Sequence, residues 1–380
     1  MGPLAGLRIV ELASIGPGPM CAMLLADLGA DVVRVDRIEP SGLGIGMTTA
    51  FDVCARNRRS IALDLKHAEA RAAVLRLVER ADVLIEGFRP GVAERLGLAP
   101  DICLARNPRL VYGRMTGFGQ DGPLARAAGH DLNYISLAGA LHAIGPKSGA
   151  PLPPLNLIGD YGGGALYLAL GILAAVFECR QSGNGQVVDA AMIDGAASLM
   201  SVFYGLFAAG TWKTERGSNL LDGGAPFYSV YATSDGQYVS IAALENKFFA
   251  ELARLIGLDA RFVQRQMDRS LWPELRDRMT EIFKTRTRAQ WCELLEGTDA
   301  CFAPVLSLAE APAHAHNVQR HAFVELNGFA QPAPAPRFTR SQPDTPRPPP
   351  TIGADTHAIL EEAGYDAAAI EALRSAGAIR

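Results

Sequence analysis

The chain has 380 residues, 49% of them hydrophobic and 20% charged, which is typical of a globular protein with one large and one smaller core. Its formal net charge of -4 gives no general attraction for nucleic acid, so no nucleic-acid partner is expected. The six cysteines are scattered, with no CxxC step and no histidine spacing that suits zinc. This pattern predicts reduced thiols in a cytoplasmic protein and no metal site.

Two further segments bear on the cellular environment. The opening residues, MGPLAGLRIVEL, lack the basic-then-apolar pattern of a secretory signal. The longest apolar stretch, residues 165–177, is too short to cross a bilayer, so it predicts a buried helix and no membrane partner.

The first part of the chain alternates strand-like and helix-like segments. Strands are predicted, in chain order, at residues 7–12, 31–36, 59–65, 81–86 and 109–114. Helices are predicted between them at residues 20–28, 68–80 and 92–96. Such alternation predicts an α/β fold with a mostly parallel, doubly wound sheet.

The second part has a different pattern. Residues 130–210 are rich in helical segments, with one strand candidate at 186–189, and strands at 225–228 and 238–242 precede a helical block at 247–295. We therefore predict four regions: a large domain at 1–190, a linker at 191–224, a small α+β domain at 225–330, and a proline-rich connector with a helical tail at 331–380 that returns to the large domain.

The turn after the first strand resembles a dinucleotide-binding turn only weakly. Gly16 and Gly18 fit such a turn, and Asp36 ends the next strand. Pro17 and Pro19, however, remove amide donors that a pyrophosphate needs. A nicotinamide or flavin cofactor is therefore not expected.

Two ionisable side chains stand where helices begin. Gly129-His130-Asp131 opens one apolar helix, and Gly159-Asp160 opens the next. A helix N-terminus keeps a histidine neutral and an aspartate ionised, so both groups would be ready to accept a proton. The alternatives are a structural histidine and two helix-capping aspartates. Four glycines near Asp160 favour a functional interpretation, because they weaken a helix start yet let a ligand approach the backbone: Gly159, Gly162, Gly163 and Gly164.

Basic residues cluster in the first hundred positions. If their strands lie side by side, the carboxyl ends of those strands bring several guanidinium groups together, where they can clamp the phosphates of a nucleotide-bearing carrier. Each residue taken singly is as well explained as solvated surface charge. The candidates for phosphate binding are Arg37, Arg56, Lys66, Arg89 and Arg95.

Several long segments together resemble the family III CoA-transferase superfamily. They include IVELASIGPGPMCAMLLADLGADVVRVD, AGHDLNYISLAGALHAIG and PPLNLIGDYGGGALYLALGILAAVFE, and the likeness runs from about residue 5 to 329. Within the superfamily the chain resembles the α-methylacyl-CoA racemase branch, because that branch has a histidine in the Gly-His-Asp step.

The resemblance implies an interlocked homodimer. Each subunit would have a Rossmann-like large domain and a smaller α+β domain, with the active site between the large domain of one subunit and the small domain of the other. CoA would bind near the basic cluster as part of a 2-methylacyl-CoA substrate, and no metal or separate cofactor would be needed. His130, Asp160 and Glu245 match the family's catalytic residues, with Glu245 pairing with the histidine. Without the resemblance, Glu245 would be assigned to solvated surface. Tyr134, in the same motif as His130, is added to the CoA-binding set.

Two reactions remain possible for such a site. Inversion of an α-carbon needs acid/base groups on both of its faces, and His130 and Asp160 have the required character. The thioester makes the intermediate a singly charged enolate, which amide donors at the start of the Asp131 helix would stabilise. In the alternative, a CoA transfer, Asp160 would attack the acyl-CoA to form a mixed anhydride. His130 would then have no evident task, so the sequence favours the racemase.

Overall fold

The computed structural model describes residues 1–39, 42 and 44–380. The chain divides into two compact units. The first comprises Met1–Ala138, Leu155–Met200 and Val318–Arg380, and the second comprises Gly139–Pro154 and Ser201–Asn317.

The strands of the described residues are, in chain order, β1 Arg8–Leu12, β2 Asp31–Asp36, β3 Arg58–Ala62, β4 Val83–Glu86, β5 Val111–Thr116, β6 Gln186–Ala191, β7 Tyr228–Ala232, β8 Tyr238–Ala242, β9 Phe302–Pro304, β10 Phe323–Leu326 and β11 Phe329–Pro332. The helices are α1 Pro17–Asp27, α2 Ala68–Val78, α3 Val92–Arg95, α4 Pro100–Arg106, α5 Asp131–Leu137, α6 Ala140–Ala143, α7 Leu166–Ser182, α8 Met192–Leu199, α9 Ser201–Ala208, α10 Asn246–Ile256, α11 Ala260–Gln264, α12 Trp272–Phe283, α13 Arg288–Leu295, α14 Ala315–Gln319, α15 Thr356–Glu362 and α16 Ala367–Ser375. A π-helical segment, Leu157–Ala165, leads directly into α7, and short 3₁₀ helices span Thr49–Phe51, Val53–Ala55, Arg269–Leu271 and Ala311–Ala313.

A six-stranded sheet organises the first unit. Its strand order is β3-β2-β1-β4-β5-β6, and every neighbouring pair is parallel. This confirms the predicted α/β class and the mostly parallel sheet. The carboxyl ends of all six strands therefore lie at the same end of the sheet, which we call the carboxyl edge. The direction in which strands are added reverses between β1 and β4, and open α/β sheets bind ligands at such a reversal.

Helices cover both faces of this sheet. Successive residues of a strand point to opposite faces, and Ile9 and Val10 of β1 accordingly belong to two different hydrophobic clusters. One cluster includes residues of α1 and α7, and the other includes residues of α2, α4 and the C-terminal helices α15 and α16. The tail is also held by polar contacts, because the Ser60 backbone N–H donates to Asp355 Oδ2 at 2.8 Å.

The second unit is built on a small antiparallel sheet. Its strand order is β7-β8-β9, and its core is rich in aromatic side chains that pack against one another. Phe283 contacts both Tyr231 and Trp291, with ring centroids 5.1 and 4.9 Å apart. The predicted strand at 238–242 is found as such, whereas the one predicted at 225–228 lies later, at Tyr228–Ala232.

The two units depart from the predicted regions at three places. Residues 191–224, predicted as a linker, are divided between the two units after Met200. Residues 139–154, predicted within the large domain, group with the second unit. The Arg216 guanidinium explains why, because it donates to the carbonyls of His142 at 3.0 Å and Gly149 at 2.8 Å. Residues 318–330, predicted within the small domain, group with the first unit and contain most of the β10-β11 hairpin.

The apolar stretch predicted as too short to cross a bilayer lies in a longer helix. The π-helical segment and α7 together run from Leu157 to Ser182, 26 residues that are long and apolar enough to span a membrane by length and composition. Half of the most apolar window is buried within the chain, and the core helix of a globular protein gives the same signal. The length expectation was therefore wrong, because it omitted residues 157–164 before the apolar stretch and 178–182 after it.

Candidate active site

The loops that follow β1 and β4 meet at the reversal point of the sheet. A Cβ added to Gly18, after β1, would lie 2.6 Å from Ser14 Oγ, and one added to Gly87, after β4, would lie 2.8 Å from the same oxygen. Only glycine at these positions leaves room for the Ser14 side chain between the loops. The two loops therefore pack closely together at the carboxyl edge, and Asp160 lies next to the first of them.

Asp160 occupies the first turn of the π-helical segment and is half-buried. The Asn156 side-chain amide donates to Asp160 Oδ2 at 3.0 Å. A Cβ on Gly16 would lie 3.3 Å from the same oxygen, so the carboxylate is beside the loop after β1. Burial raises the pKa of Asp160 above its ordinary value, and the charge of Asp131 adds to the rise. The Asn156 hydrogen bond and the charge of His130 oppose the rise without cancelling it.

Most of the glycines near Asp160 serve helix packing, whereas the sequence favoured a functional interpretation for them. A Cβ on Gly163 would lie 2.5 Å from Ala196 N of α8, and one on Gly164 would lie 2.9 Å from atoms of both Pro17 and Met192. The reciprocal contact is closer still, because a Cβ on Gly195 would lie 1.9 Å from Gly163 O. The glycines thus let the segment that carries Asp160 pack backbone to backbone against α8 and lie close to the Pro17 side chain of α1.

His130 is the N-cap residue of α5, as predicted from the Gly-His-Asp step. Its backbone N–H donates to Asn133 Oδ1 at 3.1 Å, and its carbonyl accepts from Asn133 N at 2.8 Å. These reciprocal bonds fix the first turn of the helix, and the residue is exposed to solvent. An exposed imidazole on a fixed backbone is available to a substrate.

Asp131 joins the two helix starts. It is only 5% exposed, and its Oδ2 accepts a hydrogen bond from the Asp160 backbone N–H at 2.7 Å. The approach requires Gly159, where a Cβ would lie 2.6 Å from the same Oδ2. Because His130 directly precedes Asp131 in the chain, this one bond brings the two candidate bases to the same part of the carboxyl edge.

Tyr134 has a structural role here rather than the predicted contact with CoA. The ring is 6% exposed and packs edge-on against Phe118 with centroids 4.9 Å apart. Its hydroxyl donates to the Gly129 carbonyl, and burial raises its pKa to about 12. The buried hydroxyl therefore holds the turn before His130 and is occupied there.

Arg56 is a second correction. The residue is 2% exposed, and its guanidinium forms a bidentate pair with Asp27, with distances of 3.1 and 2.6 Å. It also donates to Gln331 Oε1 and to the carbonyl of Pro332. The residue precedes β3, so it lies at the edge where the strands begin, not where they end. Its donors are used inside the protein, and a phosphate would have to displace them.

The other basic candidates are exposed. Arg37 follows β2, Lys66 follows β3 and Arg89 follows β4, so all three lie in loops at the carboxyl edge. The charge of Arg89 acts on the Tyr134 hydroxyl, which places it on the same side as α5. Arg95 ends the short helix α3 that follows the Arg89 loop. These residues retain the character needed for phosphate binding.

Glu245 belongs to the second unit, where it is the N-cap residue of α10 and is exposed. The turn before it is held by Gln266, a 3% exposed side chain whose amide donates to the carbonyls of Ala243 and Leu244, both at 3.0 Å. Nothing in the sequence around Glu245 predicted this support. Its pairing with His130 stays a prediction.

Asn156 was not among the residues predicted for the site. It lies four residues before Asp160, a spacing that places two side chains on one face of a helix and was the available signal. No group of three or more histidine, cysteine, aspartate or glutamate side chains that suits a metal ion occurs in the described part of the chain. The arrangement therefore offers a half-buried carboxyl and an exposed imidazole as its proton-transfer groups.

Comparison with known proteins adds to this geometry. A sequence model of the family described as CoA-transferase family III matches residues 4–356. The chain is 44% identical to the alpha-methylacyl-CoA racemase of Mus musculus over 375 residues, covering 98% of this chain and 96% of the relative. It is 43% identical to the protein of that name from Homo sapiens over 377 residues, with the same coverage of 98% and 96%. Among solved structures, a CAIB/BAIF family protein from Brucella suis has a TM-score of 0.80 at 28% identity and covers 95% of this chain and 99% of its own. The chain belongs to CoA-transferase family III.

Proposed function

We propose that this protein is a racemase that inverts the α-carbon of 2-methyl-branched acyl-CoA thioesters. The observation that carries the proposal is the bond between Asp131 Oδ2 and the Asp160 backbone N–H, because it sets two acid/base side chains on neighbouring helix starts. The two relatives named alpha-methylacyl-CoA racemase support it, since both match over nearly the whole chain.

The mechanism is a proton transfer with two bases. One of His130 and Asp160 removes the α-proton from one face of the carbon, and the other delivers a proton to the opposite face. The roles exchange when the reaction runs in reverse. Between the two steps the thioester is an enolate, and the backbone N–H groups at the start of α5 stabilise its oxygen. Glu245 orients the His130 imidazole and stabilises its protonated form.

The raised pKa of Asp160 suits this carboxyl to proton transfer. A base works best when its pKa approaches the working pH, and burial moves the Asp160 carboxyl in that direction. The same residue would be the nucleophile of a CoA transferase, the second function that the family allows. That reaction leaves His130 without a task, although the residue stands exposed beside Asp160.

Binding of the CoA group is assigned to the exposed basic residues at the carboxyl edge. Arg37, Lys66, Arg89 and Arg95 present cationic heads to solvent and would pair with the phosphates. The thioester would then reach the reversal point, next to Gly16 and Asp160. The CoA is part of the substrate, and the proposed reaction uses no other cofactor and no metal.

We further infer a Rossmann-like large domain and a small domain in an interlocked homodimer. An exposed apolar face on α7 supports a partner subunit. Leu166, Leu170 and Phe177 lie on one side of that helix and are 54%, 64% and 67% exposed. Soluble proteins seldom leave such a contiguous face uncovered, and a second copy of the chain would cover it. The six free cysteines agree with a reducing compartment, and we expect the cytoplasm.

The test is incubation of the purified protein with (2R)-2-methylacyl-CoA in deuterated water. The proposal predicts deuterium at the α-carbon and an approach to a 1:1 mixture of epimers, followed by mass spectrometry and chiral analysis. CoA that appears instead on an added carboxylic acid, with no α-deuterium, would favour the transferase and make Asp160 its nucleophile.

A further inference from the structure

The feature that remains unexplained is the side chain of Asp131. It is 5% exposed, one of its oxygens accepts from the Asp160 backbone, and the other, Oδ1, is buried with no hydrogen-bond partner. A buried carboxylate oxygen without a donor is costly, because neither water nor a hydrogen bond compensates its charge. A buried, unsatisfied carboxylate oxygen at a proton-transfer site suggests that the Asp131 side chain has a functional role.

We propose that Asp131 is a positioning residue that fixes the backbone of Asp160 and keeps a second negative charge beside that base. The inference rests on the proposed function, since it concerns how strongly Asp160 holds a proton during α-proton transfer. Asp131 does not touch the substrate in this account. It acts through Asp160.

The local geometry is built for this contact. Gly159 is the residue that lets the Asp131 carboxylate approach, and any larger side chain there would push it away from the Asp160 amide. The 2.7 Å bond holds the charge at a fixed distance from the Asp160 side chain. Because Asp131 is shielded from solvent, its charge is screened less than a surface charge would be.

Among the charged and titratable groups around Asp160, Asp131 is the group whose charge raises the pKa of Asp160. From α5, Asp131 raises the pKa of Asp160 and His130 lowers it. The hydroxyls of Tyr134 and Tyr161 also lie in electrostatic range of Asp160, and burial keeps both of them neutral. Ionisable residues on the other elements packed against the segment interact with groups other than Asp160. On α1, Asp27 pairs with Arg56 and Cys21 is buried beside Glu11. Asp189 of β6 interacts with Arg114 and with Asp194 of α8, and α7 carries no charged residue before Glu178.

The consequence is a stronger base. A like charge at close range disfavours the ionised form of Asp160, so Asp160 takes up a proton more readily than a half-buried aspartate alone would. The Asn156 amide works in the opposite direction, because it donates to the ionised carboxylate at 3.0 Å. Asp131 and Asn156 thus tune the same base with opposite signs.

The experiment is a pH titration of the ligand-free protein by infrared difference spectroscopy, read at the C=O stretch of the protonated carboxyl. Asp160→Asn identifies the Asp160 band by removing it. Asp131→Asn keeps an acceptor oxygen for the Asp160 N–H but removes the charge, so the midpoint of the Asp160 band should move to lower pH. Asn156→Leu removes the donor and should move it to higher pH. The same shifts should appear in the limb of the pH-rate profile that reports Asp160.

An Asp160 midpoint that stays in place or rises in Asp131→Asn would overturn the inference. If that variant does not fold, the coupling is read from Gly159→Ala, which displaces the carboxylate and should also lower the midpoint. The proposed function is tested separately by α-deuteration with the unsubstituted protein. A protein that exchanges no α-proton but titrates as expected would lose the racemase assignment and keep the Asp131–Asp160 coupling.

Discussion

The contact between Gly163 and Gly195 gives a quantitative test of how the site is held. In Gly195→Ala the new Cβ would lie 1.9 Å from Gly163 O, a backbone atom that cannot rotate away. Overpacking of a core costs about 1–3 kcal/mol, and a backbone clash belongs at the upper end. Alanine gains about 1 kcal/mol of helix propensity over glycine. The free energy of unfolding should therefore fall by about 2 kcal/mol.

The same change should reduce catalysis. Gly163 lies three residues after Asp160 in the π-helical segment, so separating that segment from α8 displaces the carboxylate. A displacement of roughly 1 Å costs on the order of 100-fold in rate when a catalytic group is misplaced. We therefore expect kcat to fall by about that factor, measured by α-deuteration under saturating substrate.

Gly171→Ala is the matched control. Gly171 also lies in a helix of the first unit, but the Cβ there would meet the Val188 side chain, at 2.6 Å from Cγ1, rather than a backbone atom. A side chain can shift, and the helix-propensity gain offsets part of the cost. Urea denaturation should show the control to be clearly more stable than Gly195→Ala. Equal stability and equal kcat in the two variants would refute the reasoning.

Arg56→Met should lower the free energy of unfolding by about 3–5 kcal/mol in urea, because it leaves the Asp27 carboxylate buried without its partner. A raised KM for acyl-CoA with unchanged stability would instead support the prediction that Arg56 binds CoA. Arg89→Ala should instead raise KM roughly tenfold, the value of one charge-assisted hydrogen bond, with little change in kcat or stability. A loss of kcat at constant KM would count against its phosphate role. Asp160→Asn should raise the thermal midpoint at neutral pH, because burial raises the pKa of Asp160 in the folded state and its ionised form therefore destabilises the fold. The gain should be largest above the raised pKa and disappear below the ordinary pKa of an aspartate, and a gain that is independent of pH would contradict this cause.

The fold of the first unit was largely predictable from sequence. Its parallel strands are short runs of β-branched residues separated by segments with helical periodicity. Such runs predict buried parallel strands without further information. The two helix starts at His130 and Asp160 were visible because glycine and polar residues precede apolar segments. Strand ends were less accurate. The third strand was predicted at 59–65 and is found at Arg58–Ala62, since its last predicted residues turn toward the next helix.

The site was harder to predict, because it depends on contacts distant in sequence. Arg56 looked like a free cation, but its partners lie 29 residues before it, at Asp27, and 275 residues after it, at Gln331. Pairs between residues so far apart in the chain cannot be predicted from the residues around each of them. The glycines near Asp160 looked functional because α8, which they contact, comes some thirty residues later in the chain.

The role of two bases on opposite faces is the central claim, and isotope exchange with each epimer tests it most directly. The 2R and 2S forms of a 2-methylacyl-CoA are incubated separately in deuterated water with Asp160→Asn and with His130→Asn. A protein with one remaining base can exchange the proton on that base's face but cannot invert the carbon. We predict that each variant exchanges one epimer, that the two variants differ in which epimer this is, and that neither racemises. Inversion at the unsubstituted rate by either variant, or exchange of both epimers by one of them, would contradict the account.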